Sequence, residues 1–169
     1  MIRIIAIEGR GIISKIIECY TWSPFSHVAI QVGMNVWEAT SPKVRRLSEQ
    51  DFWNAYKDEA ALVLRPIQYV YPEDDEKLVK WLDSHVGDDY SENALIRFLL
   101  RKKSPKDKEC WVCSKLVFEA MAHIKRPLLQ RIPSYKIVPA HIVMSPLLEE
   151  DRIVGELQLS NIAPALATA

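Results

Sequence analysis

SHVAIQVGMNVWEAT, Ser26 to Thr40, sets two runs rich in strand formers, HVAIQV (27–32) and VWEAT (36–40), on either side of Gly33-Met34-Asn35. A connection this short and glycine-bearing folds two strands back on each other as an antiparallel hairpin. A turn about Gly33 and Met34 puts Glu38 opposite Ala29. Side chains alternate faces along a strand, so His27 shares the face of Ala29 and becomes a diagonal neighbour of Glu38.

Outward from the hairpin, KVRRLS (43–48) reads as a third strand, and Ser48 is placed as the N-cap of a short helix over SEQDFWNAY (48–56). AALVLRPI (60–67) is the next strand, with Pro66 marking an edge or an end. Toward the N-terminus, Arg3 to Ile7 form a β-branched strand, and Ile12, Ile13, Ile16 and Ile17 lie at the spacing of one helix face over 11–20. Toward the C-terminus, an acidic first turn followed by Leu78, Val79, Leu82 and Val86 predicts a helix from Pro72 to Val86, stopped by Gly87. A further helix is expected over 92–103, then a charged surface loop to Glu109. Leu116, Val117, Ala120, Met121 and Ile124 are the buried stripe of a helix that Pro127 ends. Prolines recur through 132–146, which predicts loop with short helical or strand turns, and 161–169 reads as a loose tail. Strands and helices are segregated rather than alternating, so the class is α+β with an antiparallel sheet packed against helices.

With 169 residues the chain suits one domain, 1–155, followed by a tail, 156–169. Its 22 basic and 22 acidic residues cancel, so no global field favours nucleic acid or an anionic membrane. The apolar run in MIRIIAIEGR is too short for an export signal, and no stretch has the length of a transmembrane segment. The expectation is a soluble, cytoplasmic protein. Three cysteines, an odd number, then argue for reduced thiols rather than a disulfide framework.

Each thiol therefore needs its own explanation. Cys19 ends the first helix and is most simply a buried small apolar residue. Cys110-Trp111-Val112-Cys113 is a C-x-x-C at a helix start, open to three readings: a redox pair, half of a metal site, or one nucleophile beside an incidental neighbour. A redox motif wants a strand leading into it, whereas a lysine-rich loop does so here. Zinc wants four ligands, and no second C-x-x-C or H-x-x-x-H completes them. The nucleophile reading needs a thiolate, favoured by a helix N-terminus and an adjacent histidine. Cys113 satisfies the first condition. Of His27, His85, His123 and His141, His27 best satisfies the second, because it opens a strand at a sheet end, and Glu38 is then the carboxylate that orients it. Backbone N–H groups of Cys113 and Ser114 are candidate oxyanion donors. The bland alternatives are a structural histidine at a strand end, a solvent-facing glutamate and a core cysteine.

WVCSKLV (111–117) resembles the nucleophile helix of NlpC-type papain-like peptidases, and SHVAIQVGMNVWEA (26–39) resembles their histidine hairpin, with Glu38 as its polar third member. His27 precedes Cys113, the order of the circularly permuted branch, the YiiX-like amidases and their phage or prophage relatives. The Gly87-Asp88-Asp89-Tyr90 string resembles the family's G-x-x-Y, which implies Tyr90 as an oxyanion donor. The resemblance implies a permuted papain-like fold with a nucleophile helix. It implies a thiol amidase, peptidase or acyltransferase that works without cofactor or metal through a Cys113-His27-Glu38 triad and a thioester. The implied substrates are a small peptide, a peptidoglycan fragment or an acyl, lipid-like ester. Cys110 is expected to be dispensable. Trp22, Phe25 and Trp111 are candidates for the groove wall, against the ordinary reading of aromatic packing. A C-x-x-C redox protein and an inactive binding module of the same fold remain the alternatives.

Overall fold

The computed structural model describes residues 1–68, 70–90 and 111–157. Six strands form one antiparallel sheet in the order β4-β3-β2-β1-β5-β6. They are β1 Ile2–Glu8, β2 His27–Val32, β3 Asn35–Ala39, β4 Val44–Ser48, β5 Ala60–Pro66 and β6 Leu148–Val154. Gly33 adopts φ +61, the left-handed turn conformation a glycine tolerates without cost, and the hairpin closes in the expected register, with Ile30 opposite Trp37 and Val32 opposite Asn35.

The two faces of this sheet bury different amounts. On one, Ile4, Ala6, Val28, Ile30, Trp37 and Ala39 meet the central helix α4, Cys113–His123, and α3, Pro72–Ser84, in the large core. Leu116, Val117, Ala120, Met121 and Ile124 are buried, the stripe the sequence predicts. Complete burial of a side chain such as Leu116 contributes about 1.5–3 kcal/mol, and truncating it to alanine costs about 2–5 kcal/mol once the cavity is counted. On the other face Ile5, Ile7, Ala29, Val36, Ala61 and Val63 form a smaller cluster closed by Phe52 of α2, Glu49–Ala55. Ser48 caps α2 as expected, its side chain accepting from the Asp51 N–H at 3.1 Å.

Several expectations need adjusting. Pro66 is the last residue of β5, but β5 lies between β1 and β6, so the proline marks an end and not an edge. The edge on that side is β6, a strand that periodicity does not reveal because its exposed Glu149, Glu150, Asp151 and Arg152 carry no alternating apolar pattern. Charged side chains are a common protection for an edge. The central helix ends at His123, before Pro127, with Lys125 just beyond at φ +59. Among the described residues the remaining α-helices are α1, Ile12–Thr21, and α5, Pro139–Val143, with a short 3-10 turn at Ser134–Lys136. Among the described residues no helix is long and apolar enough to cross a membrane. The helix expected over 92–103, the charged loop to Glu109, Cys110 and the tail from 158 lie outside the described residues.

Candidate active site

His27 opens β2 and Glu38 lies near the end of β3, on the α2 side of the sheet. The β2–β3 ladder runs over Ile30–Val32 against Asn35–Trp37, and beyond it lies the end of the hairpin that carries both residues. His27 Nε2 meets Glu38 Oε2 at 2.6 Å. That contact fixes the ring and leaves Nδ1 for a partner on the opposite side.

Glu38 is fully buried, and an ion in that setting costs several kcal/mol unless its lone pairs are filled. They are filled from three elements. Arg45, directly opposite on β4, brings Nε to Oε1 at 2.8 Å and Nη2 to the same oxygen at 2.6 Å. Tyr56, at the end of α2, donates its hydroxyl to Oε2 at 2.7 Å. Burial alone would raise the carboxyl's pKa. The hydrogen bond and charge of His27, the Tyr56 hydroxyl and the Arg45 charge outweigh it and bring the pKa down to about 2.

Cys113 is the first residue of α4, after Val112, which caps the helix with no side-chain bond. Its sulfur sits at the positive end of the helix, where a thiolate is favoured. Burial opposes ionisation, but a hydrogen bond and charge interaction with His27 and backbone N–H bonds from Val28 and Ser114 prevail, so the thiol pKa is lowered. For His27, burial disfavours the cation. Cys113 and Glu38, each by hydrogen bond and by charge, overcome this and raise the pKa from 6.5 to about 10. Both shifts run in the direction of an imidazolium beside a thiolate, with the Glu38 carboxylate on the other side of the ring and a guanidinium beyond.

Cys113, His27 and Glu38 are thus brought together, as the sequence expects. Tyr90 lies beside the start of α4: it packs against Val112 and Ile17, pairs with Trp111 through an isolated bridge and donates its N–H to the Pro42 carbonyl at 2.9 Å. The Ser114 N–H, a candidate oxyanion donor, is directed to the Cys113 sulfur. Of the three aromatic residues, Phe25 and Trp111 belong to the core, while Trp22 is 90% exposed. Phe25 therefore acts as packing, and Trp111 holds Asp88 Oδ2 through its indole N–H at 2.8 Å. Cys19 is exposed, against the expectation of burial, because the helix turns its apolar residue Ile17 inward.

Two residues of the cluster went unread. Arg45 had a signal: extending the hairpin register to the third strand pairs it with Glu38. Tyr56 had none, because its approach depends on how α2 docks.

A metal would need several ligands converging on one point. Here the imidazole stands between the sulfur and the carboxylate, and among the described residues no group of three or more His, Cys, Asp and Glu side chains is gathered for an ion.

The site and sheet together define an α+β domain with a cysteine-histidine-glutamate cluster at one end of an antiparallel sheet. Among solved structures the chain is similar to metalloprotein YiiX from Escherichia coli O157:H7, with a TM-score of 0.63 and 17% identity over 91% of this chain and 95% of that one. A likeness of this kind shows a shared fold. No family model and no curated protein sequence matches the chain.

Proposed function

We propose that this chain is a cysteine-dependent hydrolase or acyltransferase of the permuted, NlpC-type papain-like kind, acting on an amide, peptide or ester carbonyl. The observation that carries the reading is the position of His27, hydrogen-bonded to Cys113 on one side and to Glu38 at 2.6 Å on the other. A histidine so placed can move a proton at the sulfur while its tautomer and orientation stay fixed.

The chemistry then runs in two halves. The Cys113 thiolate attacks the carbonyl carbon, and the oxyanion is met by the Cys113 backbone N–H, with Tyr90 assigned as the second donor. The bond to the leaving amine or alcohol breaks as the His27 imidazolium delivers its proton to that group, leaving a thioester on Cys113. His27, now neutral, takes a proton from water or an acceptor hydroxyl or amine as that nucleophile attacks the thioester, and the thiolate departs. Glu38 orients the ring and balances its charge throughout. Small peptides, peptidoglycan fragments and acyl esters are the substrate classes in view, and a reducing, cytoplasm-like compartment would keep the thiol available.

The test is a panel of peptide amides and acyl esters assayed with the parent chain, Cys113→Ala and Cys110→Ser. Turnover that iodoacetamide blocks, that Cys113→Ala abolishes and that Cys110→Ser retains is expected. Equal loss from both changes together with disulfide-reducing activity would contradict the proposal.

A further inference from the structure

We infer that Tyr56 is a positioning residue for this cluster, holding Glu38 by its hydroxyl and the His27 ring by its face, so that the imidazole stays aimed at Cys113. The inference rests on the hydrolase reading for its meaning in catalysis, but its geometry stands apart from any substrate.

Tyr56 makes two contacts with the pair at once. Its hydroxyl donates to Glu38 Oε2 at 2.7 Å, the same oxygen that His27 Nε2 approaches at 2.6 Å. Its ring lies 5.7 Å from the imidazole centroid at an interplanar angle of 19°, a stacked arrangement. A carboxylate offers about four lone-pair sites, and in Glu38 two donors fill each oxygen: Arg45 Nε and Nη2 on Oε1, His27 and Tyr56 on Oε2. Without the phenol, Oε2 would be held by His27 alone, and the carboxylate could tilt with the ring it is meant to steady.

The fold supplies Tyr56 by a short route. Phe52, buried in the smaller cluster, anchors α2 to the sheet. Tyr56 follows one turn later, its N–H donating to the Phe52 carbonyl at 3.2 Å and its ring 4.8 Å from that of Phe52. Burial first, and then the charge and hydrogen bond of Glu38, push the phenol's ionisation up, so it remains a donor across the working pH range. Among the described residues the ionisable groups that act on the pair are Arg45 from β4, Tyr56 from the end of α2 and Cys113 from α4.

The experiment measures the pH midpoint of Cys113 alkylation by iodoacetamide, read by peptide mass spectrometry, in the full chain and in Tyr56→Phe, Tyr56→Ala and Trp53→Leu. Trp53 shares α2 but packs on Phe52 and Arg152, so its variant reports helix destabilisation alone. Tyr56→Phe keeps the ring and loses the donor, and its midpoint should rise by about half a unit, a fraction of the ~1–2 units that one hydrogen bond to a charged group is worth, because the thiol feels it only through Glu38 and His27. Tyr56→Ala loses both contacts and should rise further, while Trp53→Leu lowers the melting temperature without moving the midpoint. A Tyr56→Phe midpoint equal to the parent's overturns the inference and leaves Tyr56 as packing, whether or not Tyr56→Ala folds. A parent that turns over no substrate overturns the hydrolase reading, and the alkylation series still decides the role of Tyr56.

Discussion

Two histidines sit beside the start of α4, and their surroundings differ in kind. His27 touches the sulfur of Cys113 and the carboxylate of Glu38. His85 caps α3, its ring 4.1 Å from that of Trp81 and 4.8 Å from that of Trp111, with Nδ1 at 2.7 Å from the Trp81 carbonyl. The same side chain bridges a thiol and a carboxylate in one place and caps a helix among indoles in the other. What separates them among the described residues is their company, a thiol and a carboxylate at the strand end against indoles and a backbone carbonyl at the end of α3. A histidine near a helix start is therefore not a site until both of its nitrogens are accounted for.

That contrast breaks first at His27. His27→Ala should lower turnover by about 10³-fold or more, since it removes the proton carrier, and its steady-state kinetics check this. The same variant should raise the alkylation midpoint of Cys113, because burial then opposes the thiolate without the imidazolium to offset it. A smaller but still large loss is expected of Glu38→Gln, which keeps the shape but not the charge that orients the ring.

Arg45→Gln sharpens the account through acid stability. Glu38 has a folded pKa near 2 against an ordinary 4.5, so its contribution is complete above pH 4.5 and is lost as the pH falls toward 2. Removing the guanidinium weakens one cause of that depression. Acid unfolding followed by circular dichroism should begin at a higher pH in the variant, with only a modest change at neutral pH, because Arg45 is 44% exposed and partly screened. The smallest effect belongs to His85→Gln, which should change turnover less than twofold and cost about 1 kcal/mol of stability, the scale of one hydrogen bond, in thermal melts. A loss at His85 comparable to that at His27 would erase the distinction between them.

The hairpin was legible because two local rules, a short glycine-bearing turn and side-chain alternation, fix its register, and His27 and Glu38 inherit their proximity from it. The Cys113 helix was legible from its apolar stripe. The meeting of Cys113 with His27 depended on the resemblance of short motifs, since no local rule says which helix end reaches which strand end. β6 was hidden because four of its seven residues are charged, which an exposed edge strand tolerates. Cys19 was misjudged because a cysteine's burial depends on which way its helix faces. Tyr56 could not be foreseen, for its approach is set by how Phe52 docks α2 onto the sheet.

The central claim is that Cys113, His27 and Glu38 form one ionised cluster, and ¹⁵N NMR titration of the histidine side chains tests it most directly, with His27→Gln assigning the signal. The account predicts that both nitrogens of His27 stay protonated through neutral pH and titrate near 10, with Cys113→Ala bringing the midpoint down. A His27 that titrates near 6.5, unmoved by Cys113→Ala, would contradict it.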